Sequence, residues 1–519
     1  MIKSEIGHSE IQQMMLAYDF NEETIQTIKN EGLLPLGLLQ RLQSCYPHYA
    51  SFLNSKILFS GKTHYTGLKG FREIVEKLKA KGINLDKVKE REFFIEVYRF
   101  MATKHILNCM NWDDFQKDSN YHLIFPQPDM INPDDVQLYI DAKTDEERAK
   151  VVEEYQLKTN PHDGNQKLNK PFFVNEDGEL EILAGSQHKY PPIKLILDKG
   201  TQNCFAFCTY CFRHAQVRGD EDMFVQSDIQ QVHNYLIKHK EISDVLITGG
   251  DGGYISYERL LEYVTPLMEN PELVHIRSFR IGSRAITFHP EFLLGNKFKK
   301  ILELLKKVVD NGIQVVWMGH FSTPRELLNP GAVAAVRRLR SYGITLKSQS
   351  PIMNHISLFR DEKGKVDVDG SAQNWIDLGN VLAMLGIGFH SMYCARPTGE
   401  HHYFTAPLAD ISKIFSKVFR SLASINRPSR HITMTSSAGK TSLMGTTEIN
   451  GEKVFALKFN EARNMEWMDR VYFAEFDEQE NTIEKLKPYG SEKYFYEDEL
   501  NEIETKLEEA LKREMKKSN

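Results

Sequence analysis

Cys204, Cys208 and Cys211 fall within eight residues, in the run Asn203-Cys204-Phe205-Ala206-Phe207-Cys208-Thr209-Tyr210-Cys211-Phe212-Arg213, of a chain with six cysteines in all. Thiolates are soft ligands that suit iron, iron-sulfur clusters and zinc. The Cys-x3-Cys-x2-Cys spacing lets three of them fold onto one face of a small inorganic cluster and leaves a fourth metal corner without a protein ligand. An open corner on iron is a reaction site. A structural zinc site wants a fourth Cys or His at a short offset. The nearest candidate is His214, and no second Cys-x2-Cys pair exists in the chain. Zinc and a chance cluster of buried thiols stand as the alternatives. Cys45, Cys109 and Cys394 are scattered singly, as reduced thiols acting as small buried hydrophobes are.

From about Lys189 to about Gly445, short apolar runs rich in β-branched residues alternate with amphipathic stretches of helical period. That is the pattern of repeated strand-helix units around a parallel sheet. Strands are predicted at Ile193 to Leu197, Asp244 to Thr248, His275 to Ile281, Ile313 to Met318, Ile344 to Ser348 and Gly388 to Tyr393. Helices are predicted at Ser227 to Lys238, Tyr257 to Met268, Lys297 to Asp310, Ala332 to Tyr342, Asp377 to Leu385 and Ile411 to Ser424, with apolar residues at i, i+3 and i+4. Six units suit a partial barrel, whose working residues sit just past the carboxyl ends of the strands. The polar signals fall there: the cysteine loop after the first strand, Gly249-Gly250-Asp251 after the second, Gly282-Ser283-Arg284 after the third, His320-Phe321 after the fourth, Gln349-Ser350 after the fifth and Cys394-Ala395-Arg396 after the sixth. Singly, a Gly-Gly-Asp is a turn and a histidine at a strand end is structural. Six in register on one rim read as a site.

The cysteine triad resembles the signature of radical S-adenosylmethionine (SAM) enzymes. That resemblance implies a four-iron four-sulfur (4Fe-4S) cluster whose open iron chelates SAM and yields a 5'-deoxyadenosyl radical, the protein supplying binding and orientation. Lys189-Tyr190-Pro191, Leu246 to Asp251, Arg280 to Arg284, Gly319 to Glu326, Ser348-Gln349-Ser350 and Ser437-Ala438-Gly439-Lys440 resemble, more narrowly, lysine 2,3-aminomutase and its relatives over about half of the chain. The resemblance implies a fold of class α/β: a partial (βα)6 radical-SAM barrel over residues 181–445, with a mostly helical N-terminal domain at 1–180 and a small α+β C-terminal extension at 446–519. It implies that Gly249, Gly250, Asp251, Ser283, Arg284, His320 and Gln349 line the SAM pocket, with Asp251 receiving the amino group and Arg284 near the carboxylate. An ammonium needs an acceptor and a carboxylate a planar donor fork.

Lys440 lies where the family has a glycine-rich loop ending in the lysine that forms a Schiff base with pyridoxal 5'-phosphate (PLP). Gly439-Lys440-Thr441-Ser442 also matches the end of a nucleotide-binding P-loop, but Met434 stands where that pattern requires glycine. Arg213 is the implied partner of the substrate's α-carboxylate, and Lys189 and Lys194 are candidates for the PLP phosphate. The implied reaction moves an α-amino group to the β-carbon of a small amino acid, with a reductase or flavodoxin-type electron donor and a homo-oligomer as partners. Lysine mutases hold the distant ammonium of lysine with two aspartates, and the matched motifs put Ala395 and Thr433 at those positions. An ammonium buried without a carboxylate costs several kcal/mol, so lysine is not the expected substrate. Arg396, beside the first missing acid, suits an acidic or polar side chain. The alternative functions are a radical SAM enzyme without PLP and a non-catalytic iron-sulfur or zinc module.

Composition agrees with a cytoplasmic enzyme. The chain has 519 residues, 41% of them hydrophobic and 26% charged, enough for a large core. A net charge of -6 argues against nucleic acid or an anionic membrane as partner. No signal peptide or membrane-spanning run is visible. Phe94 to Met101 and Glu146 to Tyr155 read as helices, Asn160-Pro161-His162-Asp163-Gly164 and Asn175-Glu176-Asp177-Gly178 as linkers, and Arg360 to Asp367 as a charged surface loop. Val454 to Phe459 and Val471 to Phe476 suggest strands, and Glu497 to Lys517 a charged amphipathic helix of mixed sign.

Overall fold

The computed structural model describes residues 15–47, 49, 57–159, 167–174, 180–183, 185–219, 224–396 and 399–517; the two predicted linkers lie outside the described residues. Eleven strands form one mixed sheet: β1 (Ser186–Tyr190), β2 (Ile193–Leu197), β3 (Asp244–Thr248), β4 (Ser278–Ser283), β5 (Gln314–Gly319), β6 (Thr345–Ile352), β7 (Gly388–Cys394), β8 (Ile432–Thr435), β9 (Gly439–Ile449), β10 (Glu452–Ala462) and β11 (Val471–Glu475). They lie across the sheet in chain order. β2 to β8 are all parallel, and β1, β9, β10 and β11 extend the two edges antiparallel. Consecutive parallel strands are joined through α1 (Ile229–Lys238), α2 (Tyr257–Glu269), α3 (Asn296–Asp310), α4 (Pro330–Ser341), α5 (Val368–Leu385) and α6 (Leu408–Ser421).

Local chemistry accounts for these elements. In α3 the apolar residues Phe298, Ile301, Leu302, Leu305 and Val308 make one buried stripe. Asp228, Ser256 and Asn329 each accept backbone N–H bonds at the starts of α1, α2 and α4. In β3, Val245 and Ile247 are buried while Asp244, Leu246 and Thr248, at the alternate positions, remain half-buried. Asp244 lines a cavity on the concave face. β1 packs on β10, and the Lys189 amine donates to Ser436 O in the β8–β9 turn. The sheet therefore curls until its two ends meet.

The differences from expectation have physical causes. β8 is a seventh parallel strand, four residues in a Ser/Thr-rich run that carries no readable period. The helix predicted at Phe94 to Met101 ends at Val97, and Met101 begins a short strand paired with His64–Thr66. Arg360 to Asp367 closes a small hairpin, Phe359–Arg360 on Val366–Asp367, rather than a loop. The C-terminal strands continue the central sheet across residue 446. Among the described residues no helix is long and apolar enough to cross a membrane.

The interior holds neutral histidines. Burial, then the nearby His289 and Lys104, pushes His105 down to about 3; burial, then His64 and Lys104, pushes His289 down to about 3. The unfolded chain takes up these protons near pH 6.5, so it binds more protons than the native state below that point. Stability is then lost as pH falls from about 6.5 toward 4, by about 1 kcal/mol per pH unit for each such group. Asp251, raised to about 6 by burial, is protonated more readily in the fold and offsets part of the loss. Urea midpoints that decline steadily over this window are the expected result; a flat profile contradicts it.

Candidate functional site

The cysteine loop hangs from the end of β2 by Asp198. That fully buried carboxylate accepts from Gly200 N at 2.7 Å, from Arg259 Nε at 2.8 and 2.9 Å and from Tyr263 Oη at 2.8 Å. On the other side, N-terminal segments hold the loop: Phe207 N donates to Met101 O at 2.8 Å and Thr209 N to Leu123 O at 2.9 Å. The glycines of the next loop serve this packing. Gly249 has φ +145°, and a Cβ there would meet Thr201 Oγ1 at 2.6 Å; one on Gly250 would meet Asn203 O at 2.7 Å. Only glycine lets the two loops press together, and Thr201 O then accepts from Gly250 N at 2.8 Å and Asp251 N at 3.1 Å.

Burial, and for Cys204 and Cys211 the neighbouring thiols, pushes the pKa of all three cysteines up. Thiolates on one zinc at bonds of about 2.3 Å stand about 3.8 Å apart. Among the described residues, only His188, His239 and Glu241 bring three such ligand atoms within 4.8 Å of one another, so the three sulfurs are spread more widely than one ion requires. His214, the zinc candidate, is buried edge-on against Tyr98, ring centres 4.9 Å apart.

Asp251 is 4% exposed and bridges two loops, accepting from Gly253 N at 2.8 Å and Arg284 N at 2.9 Å. Ser283 Oγ accepts from Ala285 N at 3.0 Å. Arg284 is bound on most of its fork: it pairs with buried Glu326, donates to Tyr210 Oη at 2.9 Å, lies 3.5 Å from Cys208 Sγ and stacks over Phe288. Its Nε is buried without a partner. The guanidinium thus sits against a cysteine sulfur, where it favours thiolate. His320 Nε2 meets the same Tyr210 hydroxyl at 2.8 Å, and burial keeps the ring neutral. Tyr210 and Glu326, which tie these groups together, were not singled out from sequence. A tyrosine between two cysteines and an acid three residues after Thr323 were the available signals.

Gln349 stands apart from this group. It lines the concave-face cavity with Lys440, Lys347, Arg280, Asp244 and Glu461. Lys440 is not on a flexible loop: it is the second residue of β9, opposite Thr435 and Glu461, after a tight turn at Ser436 to Ala438. A Cβ at Gly439 would meet Glu461 O at 2.2 Å, so glycine there serves strand pairing. The Lys440 amine lies 5.1 Å from the centre of the Tyr190 ring. Arg396 and Arg463 stand close enough to Lys189 and Tyr190 to perturb both electrostatically. Lys194 does not join this group. Its neighbour Ile193 lines the cavity, and strand alternation turns Lys194 to the other face, over the Tyr235 ring at 3.9 Å.

No family model matches the chain. A putative L-lysine 2,3-aminomutase of Aquifex aeolicus is 27% identical over 336 residues, 60% of this chain and 84% of that protein. The chain is a homologue of the lysine 2,3-aminomutases. L-lysine 2,3-aminomutase of Bacillus subtilis is 30% identical over 198 residues, 38% of each chain. Glutamate 2,3-aminomutase of Clostridioides difficile is 26% identical over 200 residues, 37% of this chain and 44% of that one. Apart from the first Aquifex match, the chain spans less than half the length of these curated relatives.

In this aminomutase homologue, Ala395 and Thr433 are buried at 5% and 1% exposure. Thr433 is in register with Tyr393 and Ser442, and Ser391 with Gln349, which puts all three hydroxyls on the face that carries Lys440. Ser391, Thr433 and Ser442 are buried without hydrogen-bond partners among the described residues. Three buried hydroxyls therefore share the face that carries Lys440 and the charged residues of its cavity.

Proposed function

We propose that this homologue is a radical SAM aminomutase acting on a small amino acid other than lysine, with a 4Fe-4S cluster on Cys204, Cys208 and Cys211, SAM beside Asp251, Arg284 and His320, and PLP at Lys440. The observation that carries the reading is a chain of contacts between segments far apart in sequence: Lys440 lies over the Tyr190 ring, Arg396 stands near that ring, and Arg396 lies over Phe212, which follows Cys211. The chemistry of the donor sets fits both groups. Three half-buried thiols beside a guanidinium suit a cluster. A lysine amine in a cavity where Arg280 is paired with Asp244 and Arg430 with Glu461, while Lys347 and Lys440 have no acidic partner among the described residues, suits a phosphorylated aldehyde. When bound, cluster and SAM supply a hydrogen-abstracting radical, and PLP supplies a π-bond to the migrating nitrogen.

The chain's own residues then bind and orient. Asp251 offers an acceptor for the amino group of SAM. Arg213 offers a fork for the substrate carboxylate. Lys440 presents its amine from a strand rather than a loop, and the buried hydroxyls of Ser391, Thr433 and Ser442 offer no carboxylate for a distant ammonium. The same reading takes the curled strands β2 to β8 as a partial barrel between a helical N-terminal domain and a C-terminal extension, with an electron-donor protein and a second copy as partners. A PLP-free radical enzyme is the second reading. It is favoured by the turn before Lys440, whose donors are spent: Ser437 N donates to Glu484 at 3.0 Å and Ser437 Oγ to Glu504.

Anaerobically reconstituted protein, screened over a panel of α-amino acids, is expected to cleave SAM to 5'-deoxyadenosine and to form a β-isomer from at least one of them, but not from lysine. Absence of cleavage in protein loaded with iron and SAM would falsify the reading.

A further inference from the structure

Two guanidiniums crowd one aromatic ring beside the site, and among the described residues no carboxylate pairs with either. The guanidinium carbon of Arg396 lies 4.8 Å from the centre of the Phe212 ring and that of Arg213 lies 5.3 Å from it, so the two are no more than about 10 Å apart. Both residues are half-buried, and neither guanidinium has a hydrogen bond or ion pair among the described residues, in contrast to those of Arg284, Arg259, Arg280 and Arg430, each of which holds a carboxylate. Holding two such cations together partly out of water is costly, and among the described residues their contacts with the Phe212 ring are not joined by any carboxylate. The one acid near Arg396, Glu484, already accepts from the Ser437 backbone. Ala395, next to Arg396, and the hydroxyls of Thr433 and Ser442 add no charge.

Resting on the aminomutase reading, we propose that the substrate is an α-amino dicarboxylic acid, one carboxylate held by Arg213 and the other by Arg396. A planar fork binds a carboxylate bidentately, and two forks over one ring lie close enough for one small molecule to meet both. Bound there, it neutralises both cations at once, whereas a monocarboxylic substrate leaves one uncompensated. Phe212, 38% exposed, is the shared platform that keeps the two forks from folding away.

The test uses reconstituted holoenzyme with L-glutamate and L-aspartate against L-alanine and L-lysine, reading β-isomer, 5'-deoxyadenosine, iron content and the cofactor's visible absorbance. A dicarboxylate is expected to be the best substrate. Arg396→Gln is expected to raise its KM by about 30-fold or more with iron and PLP content unchanged, and Arg396→Lys to recover part of the loss. Two outcomes overturn the proposal while leaving the aminomutase reading intact: a neutral or basic amino acid preferred over both dicarboxylates, or loss of bound PLP in Arg396→Gln, which would assign Arg396 to the cofactor phosphate. Loss of SAM cleavage with every amino acid in loaded wild-type protein takes down both.

Discussion

Alanine at Cys204, Cys208 or Cys211 is expected to leave a folded protein without iron-sulfur absorbance and with SAM cleavage reduced by at least about a thousandfold, equivalent to about 4 kcal/mol of lost transition-state stabilisation. The loop they occupy does not need the sulfurs to keep its shape. Asp198 sets its first turn, Met101 O and Leu123 O hold its backbone, and Gly249 and Gly250 pack against it. Removing one sulfur therefore removes a ligand and little else. A cluster deprived of one of three thiolates has two open irons and is lost or reconfigured. Cys45→Ala and Cys394→Ala are the controls: Cys45 is exposed, and Cys394 is buried at the end of β7. Both are expected to retain full iron content. Iron and sulfide analysis, with 5'-deoxyadenosine as the activity readout, checks the set; a triad variant that keeps both iron and cleavage contradicts the assignment.

Lys440→Ala is expected to abolish β-isomer formation, by three orders of magnitude or more, and to remove the visible absorbance of a lysine-bound cofactor, while iron content stays at the wild-type level. The two effects separate because Lys440 lines the concave-face cavity, which does not include Asp251, Arg284 or His320. Lys440→Arg keeps the charge and the strand but supplies no nucleophilic amine, so it is expected to fail equally. Stability is expected to change little, since the Lys440 amine makes a cation-π contact with Tyr190 rather than an ion pair. A Lys440→Ala protein that still forms product with wild-type absorbance supports the PLP-free reading instead.

Much of the scaffold is legible locally. Six of the seven parallel strands and all six connecting helices announce themselves by apolar runs and by 3.6-residue periodicity bounded by caps such as Asp228 and Asn329. The Met101 strand and β8 escape because segments of three or four residues hold too few positions to carry a period. The flexible loop expected around Lys440 is a hairpin instead, because the Gly439 backbone pairs with residues near 461 that local sequence does not connect to it.

Residue spacing alone put Cys204, Cys208 and Cys211 together, since three thiols within eight residues must share one loop whatever surrounds them. It also determined which loops share a rim, because every parallel strand of a strand-helix series ends on the same side. Only the tertiary structure decided which side chains are free. Arg284 is held by Glu326, Lys194 is turned out under Tyr235, and Lys440 meets Tyr190 across some 250 residues of chain. In strands covered on both faces, hydrophobicity does not mark which face is concave, and pairing between charges depends on contacts that no local pattern encodes.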